Sequence, residues 1–503
     1  MDVEFLRYRF EDGYYGVITK HGFIVGVRHI QMLYMLVGSI MMGMIRGGTG
    51  IAILAMVDER RLGDTYIQIH TWDKRVQGAI LSSFFFGYAV MLLPAYQFLR
   101  KVGGKMVFTG MLLINGALSV AMPTIANKGG WVAMCNAYLC MGMTHGCFAA
   151  VYQTLLQKWL PPREKKFFSS IIFGGLQLGI IVSFPFNSFL STTPLGWELI
   201  YYASAMLTLP MSIVYFVLTA SSPQDHQAIG DKELDYIKEC FNYYRKKEIP
   251  KPWREILQSP QFWAVVSAHA ASNVLFVFFI VGVPVYFNSF MPVSQSASYS
   301  MMPFLLMALI YLLSSPILDF IYNRIIGDTI YVTNFCKIIH AICACCIIVG
   351  LSLLPNLYNK INSVCILLNV ILGLLGLQFY GFLNSLNGMS ENYSNTLMTI
   401  SSTVSAVMAS AVPVVTGLIL SNERKAEDKW RSIFLTLATI YTFCNLVYIA
   451  FGSNERQDWD HVGIRRKLKG YVKGSTIHTN HVQLEEISHI NLIPDINETD
   501  TPL

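Results

Sequence analysis

Twelve stretches of this sequence are apolar for long enough to cross the roughly 30 Å of hydrocarbon in a lipid bilayer. Backbone in hydrocarbon must satisfy its own N–H and C=O groups, which leaves only helices and closed barrels as spanning structures. Barrel strands need only about 9–11 residues and alternate in polarity, whereas these runs are longer and apolar throughout. They read as helices over 31–56, 76–98, 104–124, 131–159, 167–190 and 199–220, then over 262–290, 297–322, 334–354, 361–386, 397–420 and 432–451. With 53% hydrophobic and 14% charged residues, the composition excludes an ordinary water-soluble protein of 503 residues.

Six spans precede a polar stretch, 221–260, and six follow it. That stretch carries charge of both signs and a helix-like segment at 231–247, so it reads as an aqueous connector. The expected organisation is an N-terminal arm (1–30), a six-helix bundle (31–220), the connector (221–260), a second six-helix bundle (261–453) and a tail (454–503). The fold class is therefore an all-α membrane protein with twelve transmembrane helices in two six-helix bundles.

Of the 37 Lys and Arg residues, 25 fall on the side holding both termini and the connector, 10 on the other, and Arg46 and Lys337 within spans. By the positive-inside rule both termini are cytosolic. Anionic lipid accounts for the net charge of +6 without invoking nucleic acid. Residues 1–28 have alternating charges and no apolar core, so the first span acts as its own targeting signal. Nine of the ten cysteines lie in spans and Cys240 in the connector, none placed for an oxidising compartment. Metal-spaced His and Cys sets, glycine-rich nucleotide loops and paired intramembrane carboxylates are missing. The chain reads as a monomer without a cofactor, and not as an enzyme.

Arg46 stands in the middle of the first span. A guanidinium there costs about 2.5–3.5 kcal/mol on insertion scales, so it marks a solute path or a buried polar partner. Three roles fit: binding an anion, joining a polar network, or snorkelling to an interface. The last is the weakest, because Arg46 lies about fifteen positions into its span. His145 is also mid-span, either a proton-carrying imidazole or a neutral histidine bonded within the bundle. His269 and Asn273 are one turn apart on the seventh span and share a face; that face meets a cavity or forms an interhelical hydrogen bond. Glycines four apart, Gly43 with Gly47, Gly142 with Gly146 and Gly175 with Gly179, predict close helix packing. Pro94, Pro284 and Pro413 predict kinks.

Several words in the sequence add a resemblance. They are Trp72-Asp73 leading into Ser83-Phe84-Phe85-Phe86-Gly87-Tyr88, Lys158-Trp159-Leu160-Pro161-Pro162, Pro252-Trp253-Arg254, and Gly452-Ser453-Asn454-Glu455-Arg456-Gln457-Asp458-Trp459. Together they resemble the anion:cation symporter branch of the major facilitator superfamily, the group of sialin, the vesicular glutamate transporters and insect proteins named for phosphate cotransport. The resemblance covers about 29–459. It implies the major facilitator fold, two bundles around a central cavity, with alternating access of a small anion driven by a proton or sodium gradient or by membrane potential.

The resemblance also implies site residues. Arg46 matches the branch's first-span arginine, which meets the substrate's negative charge. Other positions depart: Leu81 replaces a second-span histidine, Tyr138 an arginine, His145 a glutamate, Ser272 an arginine, and Gly388 and Glu391 an aspartate and a proline. Tyr88, within a shared word, and Tyr138, by position, could donate phenolic hydrogens to an anion or simply pack. The cytosolic gate loops are represented by Arg100 with its neighbours after span 2, and by Asp319 and Arg324 after span 8; a plain positive-inside bias explains the basic residues equally well. With most of the branch's intramembrane charges missing, a transporter-like sensor or scaffold is the alternative to a carrier. The resemblance to the insect group favours the plasma membrane over a vesicle or lysosome.

Overall fold

The computed structural model describes residues 5–9, 15–19, 26–61, 68–243, 251–322, 324, 332–358, 360–390 and 392–460. The first half folds as α1 (Val27–Met56), α2 (Lys74–Leu92), α3 (Ala95–Val102), α4 (Gly104–Thr124), α5 (Gly130–Gly146), α6 (Phe148–Trp159), α7 (Pro162–Ser191) and α8 (Gly196–Leu218). Two connector helices follow, α9 (Asp231–Tyr243) and α10 (Trp253–Leu257). The second half is α11 (Pro260–Asn288), α12 (Val293–Ile321), α13 (Val332–Leu353), α14 (Ile361–Met389), α15 (Ser394–Leu420) and α16 (Ala426–Phe451). Outside the bundle, β1 (Phe5–Arg9) pairs antiparallel with β2 (Tyr15–Thr19), Phe5 opposite Thr19.

Among the described residues, 11 continuous helical stretches are long and apolar enough to cross a membrane. One of them, Gly104–Trp159, is 56 residues long, roughly 84 Å if straight, and so cannot be a single crossing. It doubles back where Gly130 takes φ 66°, a left-handed backbone that glycine tolerates. Counting α4 and α5–α6 separately gives twelve spans. Pro94 ends α2 and starts α3, one of the expected kinks. Pro284 and Pro413 lie within helices that continue through them.

α1 and α11, apolar almost all round, are the most buried of the spans. α1 packs on α7 across the predicted glycines. A methyl group on Gly43 would collide with the Leu176 carbonyl, and one on Gly179 with the Ile40 carbonyl, so the two backbones touch without side chains between them.

The halves meet unevenly along their length. At the end opposite the termini, here the distal end, one continuous apolar cluster joins them and includes Ile51, Phe184, Phe276, Phe304 and Trp430. Phe184 and Phe304 stack across the seam with centroids 5.4 Å apart. At the termini end, apolar residues form separate clusters, one around Met35, Phe108 and Trp159 and another around Phe262, Phe382 and Trp459. A small contact, Ala89 and Leu92 with Ala406, lies between these regimes.

Two polar staples organise the termini end. Glu233 of α9 accepts the backbone N–H groups of Val27 and Arg28 at 3.0 and 3.1 Å, capping α1. Arg28 pairs with both Glu233 and Glu164, each at 3.0 Å, and so ties the connector to the first half. Asp460 of the tail accepts from Ser390 Oγ at 2.5 Å and Arg456 Nε at 2.6 Å. Burial pushes its carboxyl up, but Ser390, Arg456 and the Asn392 N–H outweigh burial and hold it below the usual carboxylate range.

Candidate functional site

Arg46 is only 8% exposed. Among the described residues no carboxylate lies within ion-pair distance of it, and its Nε is buried without a hydrogen-bond partner. Two aromatic rings of α2 cover the guanidinium: the Tyr88 centroid is 4.8 Å from its central carbon and the Phe85 centroid 5.9 Å. These cation–π contacts stabilise the charge by about 0.5–2 kcal/mol and leave its Nε–H donor unspent among the described residues. Tyr88 also packs on the Ala89, Leu92 and Ala406 contact, so the cation lies beside the boundary between halves. One turn further along α1, a methyl on Gly50 would come 3.1 Å from the Ile280 carbonyl of α11. The site therefore sits just on the termini side of the distal seal.

His145, in the last turn of α5, belongs to the same neighbourhood. Its ring meets Phe84 edge-on at 5.0 Å, its Nε2 is buried without a partner among the described residues, and it lies within electrostatic range of Arg46. The α2 run thus serves both groups, since its Phe85 and Tyr88 face α1 while Phe84 faces α5.

The other expected site residues are spent elsewhere. Tyr138 shares a 2.8 Å hydrogen bond with the Tyr201 hydroxyl inside the first half. His269 Nδ1 bonds Ser401 Oγ at 2.8 Å, its ring stacked on Phe382, and Asn273 donates to Ser405 Oγ at 3.4 Å. Both residues therefore form rungs between α11 and α15. Ser272 donates to the Ala268 carbonyl of its own helix at 3.0 Å. Arg100 and Arg324 are exposed; the Asp319 side chain and Glu391 lie outside the described residues.

One cluster escaped the sequence reading. His340 Nε2 lies 2.7 Å from Asn445 Oδ1, Gln378 Nε2 is 2.9 Å from both, and Tyr441 donates to Gln378 Oε1. All four residues are buried. Asn445 Oδ1 accepts from Gln378, and its own Nδ2 donates to the Tyr441 carbonyl at 2.7 Å, so the 2.7 Å contact requires a proton on His340 Nε2. His340 was open to the same test that singled out Arg46, an ionisable residue within an apolar run. Its partners on α14 and α16 gave no local sign.

Comparison with known proteins follows the same lines. The family model for the Major Facilitator Superfamily matches residues 35–413. A Drosophila ananassae protein named for inorganic phosphate cotransport is 28% identical over 398 residues, covering 77% of this chain and 81% of its own. Human sialin is 25% identical over 402 residues, covering 79% and 80%. Human vesicular glutamate transporter 2 is 24% identical over 428 residues, covering 82% and 72%. Among solved structures, a D-xylose-proton symporter superposes with a TM-score of 0.63 at 10% identity, over 84% of this chain and 99% of that one. A bacterial homolog of the human lysosomal transporter Spinster, inward-facing and unoccupied, gives 0.61 at 12%, over 84% and 96%.

Proposed function

The chain belongs to the Major Facilitator Superfamily, and from that membership we propose that it is a secondary active transporter moving a small organic or inorganic anion by alternating access. It is a multi-pass membrane protein whose relatives are solute transporters. The observation that carries the anion is Arg46, a buried cation without a carboxylate partner among the described residues, beside the boundary between the halves. A guanidinium recognises carboxylate, phosphate and sulfate by the same forked donors.

In this reading His145 carries the coupling proton. Protonated imidazole beside Arg46 sets two cations in one low-dielectric site, and an anion on the guanidinium cancels their repulsion. Anion and proton then enter together. Sodium is the competing coupling ion. With both termini in the cytosol, the distal seal faces the outside and Arg46 lies on its cytosolic side; the proposed location is the plasma membrane.

A second reading, a sensor or scaffold that binds solute without net transport, draws on Tyr138 and Ser272. Both stand where the branch carries arginines, and both spend their hydroxyls inside the bundle. Reconstituted protein separates the readings by uptake of phosphate, glutamate, acidic sugars and urate under imposed proton, sodium and voltage gradients. Uptake that requires Arg46 supports the carrier, binding without uptake supports the sensor, and neither binding nor uptake removes the anion assignment.

A further inference from the structure

The distal seal contains contacts of two kinds. The first is short and neutral. A methyl on Gly78 of α2 would collide with the Pro413 carbonyl of α15, and one on Gly417 with the Lys74 carbonyl. Nearby, Ser82 Oγ donates to the Ser410 carbonyl at 2.6 Å and Ser188 Oγ to the Ser294 carbonyl at 2.7 Å. Such contacts reward tight packing and vanish once backbones part by an ångström or two.

The second kind uses long cationic side chains. Arg75 Nε donates to Ser421 Oγ at 2.7 Å, a single bond to a rotatable hydroxyl. Arg60 does more. It stands on the one-turn helix Glu59–Arg61 just beyond α1 and reaches across to the end of α11. There Nη1 donates to the Met291 carbonyl at 2.7 Å and Nη2 to the Asn288 carbonyl at 3.1 Å. Asn288 is the last residue of α11. Carbonyls at a helix C-terminus lack intrahelical partners and carry the negative end of the helix dipole, so a forked cation is their natural complement.

Hydration decides whether such a tie can release. Arg60 is exposed and borders an open cavity of about 190 Å³. Asp58, Ser191 and Trp197 line it from the first half, Val293 and Ser294 from the second. Water that enters can replace the carbonyls at the guanidinium, so breaking the tie strands no buried charge. α1 also carries Arg46, with only roughly 15 Å of helix between Arg46 and its distal end.

We propose that Arg60 is a reversible latch between α1 and the C-terminus of α11, setting the balance between a state sealed at the distal end and one open there. The proposal rests on the carrier reading. The latch is a positioning element and touches no solute.

Spin labels on Thr192→Cys at the end of α7 and Ser298→Cys on α12, both exposed, report the seam width by pulsed EPR in purified full-length protein whose native cysteines, of which Cys140, Cys345 and Cys346 are exposed, are replaced by serine. The wild type populates a short and a long distance, with the short one dominant. Arg60→Ala raises the long population about three-fold or more, and Arg60→Lys, which retains charge but not the fork, falls between. Equal elution and melting of the variants establish that they fold. Two wild-type populations that ignore Arg60→Ala overturn the latch alone. A single sealed distance in the wild type and in both variants overturns alternating access itself, and the latch with it.

Discussion

The two halves differ in how their most prominent intramembrane polar side chains are partnered. In the second half, His269 and Asn273 are tied to Ser401 and Ser405, and His340 through Nε2, Gln378, Asn445 and Tyr441 close into one circuit that leaves only His340 Nδ1 unpartnered among the described residues. In the first half, Arg46 Nε and His145 Nε2 are buried without partners among the described residues, a few ångströms from aromatic rings that offer no strong acceptor. A polar group in hydrocarbon needs a partner. Where the protein supplies it, the group holds helices together; in the carrier proposal, Arg46 and His145 are kept for solute and proton. The carrier proposal accordingly places architecture in the second half and chemistry in the first.

The sharpest way to break this contrast is Arg46→Ala. Anion uptake should fall to background while membrane insertion and melting stay unchanged, and Arg46→Lys should restore little because ammonium lacks the planar fork. Full uptake by the alanine variant in proteoliposomes would sink the assignment. Next in size is His340→Ala. Removing His340 strands the Asn445 and Gln378 groups packed against it at about 1–3 kcal/mol, so the melting temperature in detergent should drop by several degrees. Anion binding by the surviving folded protein should persist; selective loss of binding at unchanged stability would move the site into the second half.

His145→Gln tests the other side. It should flatten the pH dependence of uptake with little change in melting, and an intact pH profile would demote His145 to packing. The smallest effect belongs to Ser401→Ala. Interhelical hydrogen bonds in membrane bundles average about 0.6 kcal/mol, so a barely shifted melt with normal uptake is expected. A large transport defect there would show that the α11–α15 rungs take part in the cycle.

Much of the fold was legible because hydrocarbon imposes local rules. Span length, the six-plus-six arrangement and the α1–α7 glycine packing follow from runs and spacings within single segments. The break at Pro94 was equally local, whereas Pro284 and Pro413 show that neighbouring helices can absorb a proline without ending the helix. The candidate site was half legible. Arg46 and His145 announced themselves as ionisable groups in apolar runs, and Tyr88 through the word it shares with relatives. Nothing local separated them from His269, Asn273 or Tyr138, which carry equally suggestive side chains.

The sequence alone determined that this chain spans a membrane many times and where its rare intramembrane charges fall, since both depend on composition over about twenty consecutive residues. Tertiary structure alone decided which polar groups are satisfied. His269 finds Ser401 across 132 positions, Arg60 finds Met291 across 231, and Arg46 meets the aromatic faces of Phe85 and Tyr88. Hydrogen bonds act over about 3 Å, and which groups come that close is settled only when distant helices pack.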